Sequence, residues 1–161
     1  MLIDQHDFHG LLHSADLIET VLREQLAPLG IRPNQARVIE ALDRMGAASQ
    51  SELAAAFAVT SASMSTMTER LLRGGYITRA VDPASRRQNI LELTDQGRTL
   101  LDGIGAAWTA VDDRIRAVLG KDAAAFFAQA RRLRDGLGGA VPGASNDGTP
   151  AANPRARTAK R

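Results

Sequence analysis

No cysteine occurs among the 161 residues, so disulfides, thiolate metal sites and a cysteine-based redox switch are excluded within this chain. No apolar run approaches the ~18 residues that suggest a membrane span. The opening MLIDQHDFHG places acidic residues and histidines where a secretory signal has positive charge and then an apolar stretch, so a cytoplasmic protein is expected. All three histidines fall between residues 6 and 13. A catalytic triad would need a seryl or carboxylate partner folded back onto that segment, and there is no G-x-S-x-G, P-loop or dinucleotide fingerprint. An enzyme is not expected, nor is a cofactor. No repeat with a period of ~20–50 residues is present.

A general excess of positive charge is missing too. The formal net charge is +2, but Arg155, Arg157, Lys160 and Arg161 against Asp147 give the chain end +3, leaving residues 1–141 at −1. A nucleic-acid surface must therefore come from local placement of charge. Between residues 60 and 90, five arginines oppose only Glu69 and Asp82, and that stretch is where the function is sought.

What the sequence does contain is mostly helical periodicity. Phe8, Leu11, Leu12, Ala15, Ile18, Leu22 and Leu26 recur at steps of three and four, predicting an amphipathic helix over roughly Asp7 to Leu26 that ends at Pro28 and Gly30. Pro33, favoured at a first helical position, opens a second helix running to Gly46. Ser49 three residues before Glu52 is a capping-box spacing and starts a third, SELAAAFA. In TSASMSTMTERLLRGG the apolar Met64, Met67, Leu71 and Leu72 share one face, and Gly74 and Gly75 are expected to supply left-handed residues that close the helix.

Tyr76 to Val81 and Gln88 to Leu93 are short β-rich runs flanking DPASRR, where Asp82-Pro83 suits the first two positions of a type I turn. A long helix is expected to follow Thr94 and reach Leu119, with Gly120 breaking it and a last helix over about Asp122 to Leu137. The remainder is rich in Gly, Pro and Ala and is read as a disordered tail. Its terminal RARTAKR either adds nonspecific phosphate contacts or is a solubilising end.

Two short helices joined by a tight turn and followed by a two-stranded hairpin make a winged helix-turn-helix, with residues 60–73 as the recognition helix. The fold class is therefore mainly α with a small two-stranded β wing and a helical dimerisation lobe. The expected division is an N-terminal dimerisation helix over 1–30, a DNA-binding lobe over 31–93, the remaining dimerisation helices over 94–137 and the tail over 138–161. Ser61, Ala62, Ser63, Ser65, Thr66, Glu69 and Arg70 would face outward. Small hydroxyl side chains let a backbone approach DNA closely, donate to phosphates and meet a thymine methyl. Thr60 and Ser61 are equally explained as helix caps, and Arg70 and Arg73 as partners of Glu69 or another acid. At the hairpin tip, Arg86 and Arg87 suit a narrowed minor groove with concentrated negative potential; the other reading is two solvated turn arginines.

The stretch SELAAAFAVTSASMSTMTERLLRGGYITRAVDPASRRQNILELTDQG, within a likeness spanning about residues 8–137, resembles the MarR family of bacterial transcriptional regulators. The similarity lies in its helix, recognition helix, G-G/K-G-L-I-x-R step, D-P-x-D-R-R wing and L-T-x-x-G helix start. It implies a dimer with interleaved terminal helices, a recognition helix in each major groove and a wing at each minor groove. By motif position Arg87 would be the wing arginine in the minor groove and Arg86 its structural or phosphate-binding neighbour. Two departures stand out. Ser85 replaces the usual acid two positions before the arginine, leaving Asp82 as a substitute brace, and Thr66 stands where many members place an arginine.

Apolar surface on the terminal helices, including Phe8, Trp108, Phe126 and Phe127, exceeds what a thin three-helix lobe can bury. This argues for a homodimer independently and for a pseudo-palindromic operator with half-site centres ~34–36 Å apart. The resemblance also implies a small organic effector, aromatic or anionic, bound between the lobes, with His13, Arg37 and Trp108 as candidates by location; Trp108 in such a helix is more often a packing residue. His6, His9 and His13, with Asp16, form a stripe that either binds metal, with His9 and His13 as the weak candidate pair, or is solvated or at an interface. A rise of ~1.5 Å per residue allows only two adjacent ligands from one helix, so no metal site is assigned. Double-stranded DNA, a second copy and an effector are the expected partners, and repression is the expected sign. The alternative is a winged-helix module that binds protein or RNA without an operator.

Overall fold

The computed structural model describes the backbone of residues 6–82 and 85–139, and the side chains within these apart from 82 and 85–88. Helix α1 (Asp7–Leu26) passes through a 3-10 turn (Ala27–Leu29) to α2 (Pro33–Met45). A two-residue strand β1 (Ala48–Ser49) leads into α3 (Gln50–Ala56), and then come α4 (Ser61–Arg73), β2 (Ile77–Asp82) and β3 (Ser85–Leu93). A short α5 (Asp95–Arg98), a long α6 (Leu101–Leu119) and, after a second 3-10 turn, α7 (Ala123–Gly136) complete the described chain.

The sheet is antiparallel with order β1-β3-β2. The β2–β3 hairpin is the two-stranded wing expected from sequence, and a third, unforeseen strand joins it: Ala48 pairs with Leu91 and Ser49 with Ile90. Two residues carry no readable alternation, and their strand character comes entirely from pairing with β3. Ser49 then leaves the ladder and caps α3. Its hydroxyl accepts from the Glu52 N–H at 3.2 Å, while its own N–H donates to the Glu52 carboxylate at 2.7 Å, the reciprocal box that the spacing predicts.

Side chains from every layer meet in one core. Leu26 of α1, Ile39 and Leu42 of α2, Leu53 of α3, Met64 and Leu71 of α4, Leu91 of β3 and Ile104 of α6 are all buried. Each contributes roughly 1.5–3 kcal/mol relative to exposure. Helix α1 packs along α6, and α4 is held by α2, α3 and β2, so the recognition helix is fixed from three sides.

Helices α3 and α4 end in the same hydrogen-bond pattern. After α3, Val59 N–H reaches Ala54 O and Ala58 N–H reaches Ala55 O; after α4, Tyr76 N–H reaches Leu71 O and Gly75 N–H reaches Leu72 O. Both are Schellman closures, which place the residue after the cap in left-handed geometry. Only Gly75 (φ 73°) takes that conformation at the double glycine, whereas Gly74 is right-handed, correcting the expectation that both would. In α3 the left-handed position is filled by Ala58 at φ 51°.

The helix expected to run unbroken from Thr94 is divided between α5 and α6. Thr94 caps α5 through Gly97 N–H at 3.0 Å and donates its hydroxyl to Gly75 O at 2.6 Å. That clamp presses α5 against the start of the wing so closely that a Cβ on Gly97 would overlap the Tyr76 carbonyl. The chain must turn at Leu100, whose N–H bonds Gly97 O at 3.2 Å, before α6 can begin. Of the carboxy-terminal stretch, Gly138 and Gly139 are described; the rest of the tail, like Pro83 of the expected turn, lies outside the described residues.

Candidate nucleic-acid interface

The presenting face of α4 follows from which of its side chains are used for packing. Met64, Thr68 and Leu71 are buried. Thr68, which apolar periodicity alone did not single out, satisfies its hydroxyl by donating to Met64 O at 3.0 Å and Ser65 O at 3.1 Å, so a polar side chain sits in the core without an orphaned group. The opposite face exposes Ser61, Ala62, Ser63, Thr66, Glu69, Arg70 and Arg73, with Ser65 half-buried at its margin. Thr60 is the cap: its oxygen accepts from Ser63 N–H at 3.2 Å, and its hydroxyl donates to Ser63 Oγ at 3.0 Å. Thr66 turns its hydroxyl back to Ala62 O at 3.1 Å, leaving its methyl and the Ala62 methyl outward. Among the described residues Arg70 and Arg73 form no ion pair with Glu69 or any other acid.

The wing starts three residues after α4. Ile77–Val81 pair in register with Leu93–Asn89, after which the register shifts and Asp82 pairs with Ser85. Residues 86–88 of β3 therefore fall between two consecutive pairs, an irregularity in the ladder. The expected connection DPASRR is shortened accordingly, since Ser85, Arg86 and Arg87 belong to β3 in their backbone. Their side chains, and that of Asp82, lie outside the described residues. Arg79 is exposed on the neighbouring strand.

Two further arginines join this face from distant parts of the chain. A cleft of about 560 Å3 where α1, the start of α2 and α4 meet is lined by Arg23, Arg32 and Gln35 together with Thr66, Met67 and Arg70. Sequence reading missed Arg23 and Arg32, which lie 38 or more positions before Arg70 and belong to no motif. The clue was Arg32 just ahead of Pro33, at the mouth of a helix.

The expected effector residues have different surroundings. His13 lines an open depression formed by residues 6–16 of its own helix, including His6, His9 and Asp16. Arg37 lies over the Phe57 ring at 5.5 Å, and Trp108 is half-buried against the core. Phe8 and His9 stack at 4.1 Å, with the His6 and His9 rings 6.3 Å apart. Among the described residues no group of three or more His, Cys, Asp or Glu is arranged to hold a metal ion, and no helix is long and apolar enough to cross a membrane.

A buttressed helix with a small, polar outer face, beside a hairpin and held by a helix-turn-helix core, defines a winged helix-turn-helix fold. The MarR family model matches residues 29–88, the stretch from the turn after α1 through α4 and into the wing. No curated protein sequence matches the chain. Among solved structures, the transcriptional repressor CouR bound to a 23-mer DNA duplex is 25% identical, covering 81% of this chain and 93% of that one, with a TM-score of 0.74. A mutant of Escherichia coli MarR complexed with operator DNA is 21% identical over 77% of this chain and 90% of that one, TM-score 0.69. The YusO protein of Bacillus subtilis is 25% identical over 80% and 89%, TM-score 0.58. The chain thus has the fold of MarR-family transcriptional regulators, with DNA-bound structures among its neighbours.

Proposed function

We propose that this protein is a homodimeric, sequence-specific DNA-binding regulator that represses transcription and is released by a small organic effector. The observation that carries this reading is the outer face of α4, where Ser61, Ala62, Ser63 and Thr66 present small side chains beside an Arg70 with no ion-pair partner among the described residues. Such a face fits a major groove closely, with hydroxyls for phosphates and methyls for thymine. Arg86 and Arg87, with Ser85 before them, reach the adjacent minor groove from β3. The operator DNA bound by E. coli MarR and the duplex bound by CouR support duplex DNA as the ligand.

Dimerisation is supported by apolar surface that the single chain leaves uncovered. Phe8, Leu11, Leu12 and Leu17 along α1, and Leu133 and Leu137 along α7, are half or more exposed, and Leu11, Phe126, Leu133 and Leu137 line an apolar groove of about 630 Å3 between the two helices. A second copy covers it. The effector, of the small organic class usual for this family, shifts the population toward a half-site spacing that no longer matches the operator; a coupling of ~1–3 kcal/mol is typical. His13, Arg37 and Trp108 are its candidate contacts, although each has separate surroundings in the single chain.

The test is an anisotropy titration of the full chain against duplex DNA from its own upstream region and against random duplex, in parallel with Arg87→Ala. Binding that prefers the upstream duplex, falls steeply with salt and is lost in the variant supports the reading. Equal binding to both duplexes moves weight to a winged-helix module for protein or RNA.

A further inference from the structure

The cleft between α1, the start of α2 and α4 is an unusual place to collect positive charge, because the folded chain offers it little acid. Arg32 and Arg70 form no ion pair among the described residues. Arg23 has only Glu19 at 3.4 Å, with both side chains about 60% exposed, and an exposed helical pair of this kind is weak and easily exchanged. Among the described residues, Glu19 is the one acidic residue lining the cleft. Gln35 spends its carbonyl oxygen on the Arg32 N–H at 3.0 Å, which turns its amide NH2, a pure donor, free for another group. Three guanidiniums and an amide, against one carboxylate, make a receptor for an oxyanion.

The position of the cleft selects which oxyanion. Thr66 and Arg70 belong both to its wall and to the outward face of α4. The wing follows that helix in the chain and packs against it through β2. A helix seated in a major groove has a phosphate strand on either side, and a cleft that shares Thr66 and Arg70 with the outward face of α4 lies beside that groove. We infer that Arg32 and Arg23, with Arg70 and Gln35, hold a backbone phosphate of the DNA beside the recognition helix. This rests on the DNA-binding reading given above and extends the footprint to α1, the helix whose apolar side is left for a partner. The phosphate then ties DNA occupancy to the placement of that helix.

A phosphate contact carries no sequence information, so the probe is a fluorescently labelled duplex of arbitrary sequence, compared with the upstream-region duplex, between 50 and 200 mM salt. Each lost phosphate contact lowers the slope of log affinity against log salt by about 0.9, or about fivefold in affinity near 0.15 M. In the homodimer the substitution removes the contact from both copies, so Arg32→Ala is expected to lower the slope by about 1.8 and weaken binding to both duplexes by about 25-fold, Arg32→Lys to restore most of it, and Arg23→Ala to act in the same direction. Circular dichroism and thermal melting should stay unchanged, because Arg32 is exposed. An unchanged slope in Arg32→Ala, with the unsubstituted protein binding normally, overturns the inference and leaves the DNA-binding reading standing. A loss confined to the upstream duplex overturns it as well, since it marks base readout. If the unsubstituted protein binds no duplex, both fall together, and that failure is visible before any variant is made.

Discussion

At the scale of single residues, the helix-turn-helix is held by polar contacts whose removal is measurable. Ser49 closes the capping box of α3, so Ser49→Ala should cost about 1 kcal/mol in urea unfolding, with no loss of apolar burial to confuse the result. The Ser49 hydroxyl and backbone N–H, by hydrogen bonding to the Glu52 carboxylate, hold its pKa below the ordinary value. A lowered folded pKa means that the unfolded chain binds the proton more readily. The contribution is therefore complete above the ordinary carboxylate range near ~4.3 and is lost as pH falls through the lowered folded value. Glu52→Gln should flatten the stability profile in that acid window and leave its shape near neutrality unchanged; an identical acid limb in both proteins would exclude Glu52 as a source. Ala58 offers the opposite sign. It occupies a left-handed position where a Cβ costs about 1–2 kcal/mol, partly offset by the unfolded-state entropy that glycine adds, so Ala58→Gly should stabilise by roughly 0.5–1 kcal/mol.

At the scale of elements, what could be read from sequence was what is local. Ser49, Thr60 and Thr94 cap helices at the positions their spacing implied, and Met64 and Leu71 mark the buried side of α4. The unread parts are those fixed by partners far along the chain. β1 exists because Ala48 and Ser49 meet Leu91 and Ile90, and α5 separates from α6 because Gly97 lies against the Tyr76 carbonyl. The irregularity at residues 86–88 is a matter of register between strands, and Arg23 and Arg32 reach Arg70 only once α1 and α2 are packed. Gly97 is the sharpest case, because glycine there is a packing requirement and not a turn signal. Gly97→Ala must separate α5 from the base of the wing, at about 1–3 kcal/mol if the overlap is relieved by local backbone shifts. Thermal melting would show the loss, and proteolysis should begin at the wing, where the Thr94–Gly75 hydrogen bond of 2.6 Å no longer closes. A melting temperature equal to that of the parent would mean that α5 is free to move aside.

At the scale of the molecule, the fold puts its polar reading face and its uncovered apolar surface on different elements, α4 with the wing against α1 with α7. That separation lets the proposed association be removed without touching the residues proposed to meet DNA. Leu133 is half-exposed on α7 and lines the groove beside Leu11, so a carboxylate there is solvated in an isolated chain and buried, unpaired, in a dimer. Leu133→Glu is therefore expected to keep its helical circular dichroism and to sediment as a monomer. Two linked half-site contacts gain avidity of up to 10²–10⁴ over one, so the same variant should lose most of its affinity for the upstream duplex while keeping a single chain's salt-dependent binding to random duplex. A variant that stays dimeric would move the association surface off α7. A monomer that binds the upstream duplex as tightly as the parent would show that one recognition helix and one wing suffice, and that an operator with two half-sites is not required.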